Sequence, residues 1–160
     1  MLKIRVICVG KLKEKYWEDA VREYAKRIKP YAALEVVELK EYRLRKNAGP
    51  AEEEEVRLNE GRDILGKIGS GEYVITLEIK GKKLDSVAFS KKISDIASEG
   101  TGTLDMVIGG SLGLSKEVSA RSDFKLSFSD MTFPHQMMRV VLLEQIYRAF
   151  KIARNEPYHK

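Results

Sequence analysis

The chain has 160 residues, 43% hydrophobic and 33% charged, with 29 Lys+Arg against 24 Asp+Glu and a net charge of +5. That length suits one domain, residues 1–160, burying about 70% of its unfolded surface. One cysteine excludes an internal disulfide, no Cys/His cluster suggests zinc, and no run of about 20 apolar residues suggests a membrane span. The opening Met1-Leu2-Lys3-Ile4-Arg5-Val6 reads as a strand rather than a signal peptide, so a cytoplasmic protein without a metal is expected.

Apolar alternation places a first strand at 2–9. Trp17, Val21, Tyr24 and Ile28 fall at helical spacing in 14–28, with Trp17 expected to pack that helix on the sheet. A strand follows at 34–39, then a polar, basic and irregular stretch at 40–50. A helix over 52–68 opens with four glutamates, which suit the positive end of a helix dipole. Next come a strand at 72–79, a helix over 86–98 with Ser86 as its expected N-cap, and a strand at 103–108 ending in Gly109-Gly110. A short helix at 115–120, a short strand at 125–128 and a long helix over 134–154 complete the chain, with Pro134 near the start of the last helix. Strands alternating with helices predict an α/β fold with a mainly parallel sheet and helices on both faces. A ligand is then expected beyond the carboxyl ends of the strands, near Gly10, 77–80, 109–113 and 129–133.

Charge is uneven along the chain. Residues 1–50 carry 13 Lys+Arg against 7 Asp+Glu, residues 51–135 carry 11 against 15, and residues 136–160 carry 5 against 2. Basic ends that meet in space would offer a polyanion one face. Gly109-Gly110-Ser111-Leu112-Gly113 matches neither GxxxxGK[ST] nor GxGxxG, which argues against a P-loop or Rossmann enzyme. It reads either as a backbone cradle for a ligand or as a tight turn. The 127–135 segment mixes apolar side chains with small hydroxyls and suits either an adenosine pocket or a packed loop. The last helix carries Met137, Met138, Val140, Val141, Leu142, Leu143, Ile146, Tyr147, Phe150 and Ile152 around nearly its whole circumference, which predicts burial on several sides, one against a second subunit. Glu144 and Arg148 share a face as an expected ion pair. The tail 154–160 is either frayed or a base-stacking and phosphate-holding element. Cys8 is expected in the core.

Several stretches together resemble one family: VGKLKEKYW at 9–17, VITLE at 74–78, VIGGS at 107–111, residues 126–133, and FPHQMMR at 133–139 continuing to the Tyr158-His159-Lys160 ending. They are similar to the RlmH (YbeA) family, SPOUT-class methyltransferases of pseudouridine N3 in 23S rRNA, from residue 2 to the last. The resemblance implies a SPOUT α/β-knot with a C-terminal trefoil knot, a homodimer, S-adenosylmethionine as methyl donor, and 23S rRNA in the assembled ribosome as partner. It implies a donor pocket at Leu77, Gly109, Phe128, Ser129, Asp130, Met131, Thr132 and Phe133. At Asp130 the family varies, so the backbone rather than the carboxylate is the implied contact. Arg154, Tyr158 and His159 are the candidates for the RNA side: a phosphate or base-edge grip, a stacking ring and a proton acceptor. A non-catalytic RNA- or ribosome-binding factor and a SPOUT enzyme acting on tRNA are the alternatives.

Overall fold

A computed structural model describes all 160 residues. The elements are β1 (Lys3–Val9), α1 (Lys15–Ile28), β2 (Ala33–Leu39), α2 (Pro50–Leu65), β3 (Tyr73–Lys83), α3 (Ser86–Ser98), β4 (Thr103–Ile108), α4 (Lys116–Arg121), β5 (Phe124–Ser127) and α5 (His135–Ala153). The strands form one sheet in the order β2-β1-β4-β3-β5 with every pairing parallel. This is the α/β architecture that the alternation predicts. All five carboxyl ends therefore open on one edge.

Alternate residues of the strands feed the two faces. Ile4, Val6, Cys8, Leu104, Met106 and Ile108 face α1, α3 and α5, in the larger of two apolar clusters. Ile7, Val9, Val74 and Val107 face α2 and α4 through Ile64 and Val118. Helix α5 packs against both α1 and α3 and contributes Leu142, Leu143, Ile146 and Ala149 to the larger cluster.

Cys8 is 1% exposed, as the pattern predicts. Burial raises its thiol pKa to about 11 from 9.0. The folded state thus holds the proton, and this contribution to stability is complete below about pH 9 and lost as pH rises toward 11. Only the thiolate alkylates, so native Cys8 is expected to react with iodoacetamide at pH 8 about 100-fold more slowly than an unfolded thiol. Mass spectrometry of the single cysteine checks this. One equivalent of label taken up natively at the free-thiol rate would contradict the burial.

Three local expectations change. Asp85, not Ser86, caps α3: its carboxylate accepts from Ala88 N at 2.7 Å, while Ser86 Oγ lies 2.8 Å from Gln145 Oε1 and ties α3 to α5. An aspartate one residue earlier reaches the same orphan amides. Trp17 sits in the first turn of α1, edge-on to Tyr16 at 5.0 Å and outside the core; Val21, Tyr24 and Ile28 carry the packing instead. Finally, β3 runs past Ile79 to Lys83. Leu77 and Lys82 both pair with Leu126, so residues 78–81 bulge out of the ladder. Gly81 makes the return possible, since a Cβ there would lie 2.7 Å from Lys125 O.

Candidate active site

The β3 bulge, the glycine turn after β4, the segment after β5 and the first turn of α5 enclose an apolar cleft of about 650 Å³, counting its open mouth. The cleft opens at the carboxyl edge of the sheet, where the strand ends place the expected ligand. Leu77, Gly109, Phe128, Ser129, Met131, Thr132 and Phe133 all line the cleft. Asp130 does not. Its carboxylate turns outward and meets Lys83 Nζ at 2.5 Å on the surface, which suits a position where only the backbone is used.

Beyond the expected pocket residues, the wall has Ile108, Leu114, Leu126, His135 and Met138, which lie outside the expected ligand stretches, and Glu78, Ile79, Gly110 and Gly113, which fall inside 77–80 and 109–113. Glu78 and Ile79 reach it through the bulge, a feature no strand periodicity announces. His135 and Met138 come from α5, one turn apart on the helix. No Lys or Arg lines the cleft, and Glu78 is its one carboxylate. Thr76 Oγ1 donates to Glu78 Oε2 at 2.6 Å and Ser119 Oγ donates to Oε1 at 2.9 Å, which fixes the side chain. A cleft of this kind favours a ligand that is largely apolar, carries positive charge and is held by backbone groups.

The turn after β4 is tight, and Gly109, Gly110 and Gly113 line the cleft. Gly113 has φ +79, in the left-handed region that glycine tolerates, and its N–H donates to Gly110 O at 3.0 Å. A Cβ on Gly109 would lie 2.9 Å from Leu114 Cδ2 and 3.1 Å from the Gly113 carbonyl carbon. The first collision is thus within the turn, not in the open cleft. Gly109→Val is therefore expected to weaken ligand binding in the cleft and lower thermal stability together, by deforming the turn. Calorimetry and a melting curve check the pair, and unchanged values in both would remove Gly109 from the site. Helix α2 supports the turn from below: Arg57 Nε donates to Leu112 O at 3.1 Å, and the Glu60 carboxylate lies under Gly110.

The tail is docked, not frayed. Asn155, at φ +52, ends the helix, and Glu156 N donates back to Lys151 O at 2.9 Å. Glu156 accepts from Tyr31 Oη at 2.5 Å and Lys151 Nζ at 2.7 Å. The chain then turns back along α5. Tyr158 packs edge-on to Tyr147 at 4.8 Å, lies under the Arg148 guanidinium at 4.7 Å and donates to Glu144 Oε1 at 3.0 Å. Desolvation, then the Glu144 carboxylate, push the Tyr158 hydroxyl up to about 12. Glu144 and Arg148 form the expected ion pair, at 2.5 Å.

His159 Nδ1 lies 3.2 Å from Arg148 Nη1. A guanidinium only donates, so Nδ1 accepts and the ring hydrogen sits on Nε2. Arg154 stacks on Tyr31 at 4.7 Å. The three tail candidates therefore share the outward side of the α5 C-terminal half. Tyr158 contacts the helix at 144–148, six to ten residues beyond Met138, or about 9–15 Å along the axis. Within one subunit the tail and the cleft are thus not brought together.

An all-parallel α/β sheet with an apolar, glycine-floored cleft at its carboxyl edge, built from three loops and the final helix, fits a methyltransferase of the SPOUT class. The family model described as "Predicted SPOUT methyltransferase" matches residues 2–159, and the chain belongs to that family. It is 52% identical over 159 residues to "Ribosomal RNA large subunit methyltransferase H" of Carboxydothermus hydrogenoformans, covering 99% of this chain and all of that protein. A protein of the same name from Clostridium acetobutylicum is 51% identical over the same coverage. No group of three or more His, Cys, Asp or Glu side chains is placed to hold a metal ion, and no helix is long and apolar enough to cross a membrane.

Proposed function

We propose that this protein transfers a methyl group from S-adenosylmethionine to N3 of a pseudouridine in 23S rRNA of the large ribosomal subunit, acting in the cytoplasm as a homodimer. The observation that carries the reading is the cleft, apolar and free of Lys and Arg, with one fixed carboxylate, in a chain alike end to end to proteins named for rRNA methylation.

Bound there, S-adenosylmethionine supplies a methyl group already activated on a cationic sulfonium. The chain's own residues would do the rest. Leu77, Gly109 and the backbone of 128–133 hold the adenosine end, with Phe128, Met131 and Phe133 excluding water. Glu78 stabilises the positive charge, which a lysine in its place would oppose. The main catalytic task is alignment of N3 with the methyl carbon and sulfur, together with loss of the N3 proton. Arg154 and Tyr158 would grip and stack the RNA. His159 would take the proton only after Nδ1 leaves Arg148.

Helix α5 supports the dimer reading. Met137 and Val141 share the face of Glu144 and Arg148 by i,i+4 and i,i+7 spacing, yet the tail contacts only the latter half of that face. The apolar half is left for a second copy. If a two-fold axis runs across the helix, the two α5 helices pack antiparallel, and one subunit's C-terminal tail lies beside the other's cleft. This arrangement would complete the site across the interface.

The test is mass mapping of 23S rRNA from cells lacking the gene, paired with methyl transfer by the purified protein to large subunits, to whole ribosomes and to tRNA. One missing methylpseudouridine, restored by the protein with S-adenosylmethionine, is expected. Transfer to tRNA alone would move the substrate, and failure to bind S-adenosylmethionine would turn the protein into a non-catalytic RNA-binding factor.

A further inference from the structure

A second feature at the same edge of the sheet has no part in holding the methyl donor. Strands β1 and β2 are neighbours and parallel, with Gly10 N donating to Leu39 O at 2.7 Å, so the loops that follow them leave side by side. The first loop, residues 10–14, is fixed by its backbone at three points. Gly10 O accepts from Arg139 Nη2 at 3.1 Å, Leu12 N donates to Glu38 Oε2 at 3.3 Å, and Lys13 N donates to Gln136 Oε1 at 2.8 Å. Arg139 is 1% exposed and also neutralises Glu38, at 2.7 Å. The second loop, residues 40–49, is anchored through Tyr42: its N–H donates to Glu60 Oε2 at 3.1 Å and its hydroxyl to Asp63 Oδ2 at 2.9 Å.

Fixed backbones here carry free cations. Lys11, Lys13, Lys15, Arg43 and Lys46 are all exposed. None forms an ion pair; of the basic residues in the second loop, Arg45 alone is paired, with Glu52. Within residues 10–14 and 40–49 the only acids are Glu14 and Glu41, against Lys11, Lys13, Lys40, Arg43 and Lys46 outside the Arg45 pair, so the loops themselves carry positive charge in excess, with Glu18, Glu55, Glu60 and Asp63 of the adjoining helices at their margin. Between the loops lies a groove lined by Lys13, Tyr42, Arg43, Leu44, Ser111 and Leu112, together with Glu41 and Val56. Ser111 and Leu112 belong to the same turn whose Gly109 and Gly110 line the cleft. Groove and cleft are thus two sides of one turn, and the turn rests on Arg57 and Glu60 of α2.

We propose that this groove is a ribose-phosphate track, with Lys13 and Arg43 taking backbone phosphates of the RNA strand that flanks the nucleotide in the cleft. The inference rests on the rRNA reading above and deepens it. Cations on a pinned backbone position a strand at little ordering cost, while contributing no base readout. Such a track suits a small protein that recognises a preformed RNA shape. It also places Lys11, Lys13, Lys15, Arg43 and Lys46 of the basic N-terminal part beside the cleft, while Lys3, Lys26 and Lys29 lie toward the opposite edge of the sheet.

The test compares two full-length double variants of equal charge change. Lys13→Glu/Arg43→Glu alters the track. Lys29→Glu/Lys67→Glu alters exposed lysines that follow α1 and α2 at the opposite edge of the sheet. Association with purified large subunits is measured from 50 to 200 mM salt, and S-adenosylmethionine affinity by calorimetry. For the track variant, binding is expected to fall at least about 10-fold, with the slope of log K against log salt reduced by roughly 1.5, as two lost phosphate contacts require. Its S-adenosylmethionine affinity stays at the wild-type value, and the control variant keeps both affinity and slope. An unchanged slope in the track variant, or an equal loss in the control, overturns the track. Wild-type protein that methylates large subunits while the track variant matches it overturns the track alone. Wild-type protein that neither binds nor methylates them overturns the rRNA reading beneath it.

Discussion

Removing Tyr158, His159 and Lys160 is expected to lower methyl transfer to the large subunit by orders of magnitude while leaving S-adenosylmethionine binding intact. The cleft is complete by Met138, so nothing that lines it is deleted. On the proposed role of the tail, what is lost is positioning of the RNA base, and correct positioning can be worth about 7–11 kcal/mol of barrier. Folding should survive. The truncation removes the aromatic contact of Tyr158 with Tyr147, worth about 0.5–1.5 kcal/mol, and leaves the Glu144–Arg148 pair in place. His159→Ala separates two roles. If His159 accepts the N3 proton, the deficit shrinks as pH rises and hydroxide substitutes; a deficit that is constant with pH makes it a binding residue. Mixed dimers decide whose cleft the tail serves. A truncated subunit paired with a Gly109→Val subunit regains activity only if one subunit's tail completes the other's cleft. Full activity in the truncated homodimer would return the tail to a merely structural role on α5.

Much of this arrangement can be read in the sequence, for identifiable reasons. Strand and helix periods alternate cleanly, and a parallel sheet places every carboxyl end on one edge, so 77, 109 and 128–133 converge although they are far apart in the chain. Cys8 is legible because it sits among β-branched residues in a strand buried on both faces. Other features depend on tertiary geometry that no local pattern encodes. Glu78 reads as an ordinary strand position, and only the restart of β3 pairing at Lys82 puts it in the wall. Asp130 stands within an apolar segment, yet Lys83, brought alongside by that same restart, draws its carboxylate to the surface. The tail looks frayed because its partners, Tyr31, Glu144 and Arg148, are distant or hidden in the pattern of other elements. The all-round apolar α5 is legible as a buried helix, but which side faces the sheet is not, because every side qualifies.

That ambiguity yields a sharp contrast between adjacent residues of α5. Leu142 is 0% exposed and lies in the larger core cluster, whereas Val141, one position away and about 100° around the helix, is only partly buried on the outward side. Leu142→Glu would place a carboxylate in the larger apolar cluster, and the one buried cation within a helical turn, Arg139, is already committed to Glu38 and Gly10 O. Its cost, about 5 kcal/mol or more, matches the whole stability of many domains, so the variant is expected to be unfolded or insoluble. Val141→Glu faces no such core. It should leave a folded protein with an ordinary melting transition and S-adenosylmethionine affinity near that of the wild type. On the dimer reading, however, two new carboxylates approach each other across the two-fold axis, and like charges in an interface cost several kcal/mol. Val141→Glu is then monomeric by sedimentation at micromolar concentration and inactive on large subunits, because the partner's tail is absent from each cleft. A Val141→Glu protein that sediments as a dimer would place the interface on another face of the molecule. A monomer that retains full methyl transfer would show that each subunit's cleft is complete by itself, and that the tail must leave α5 to reach it.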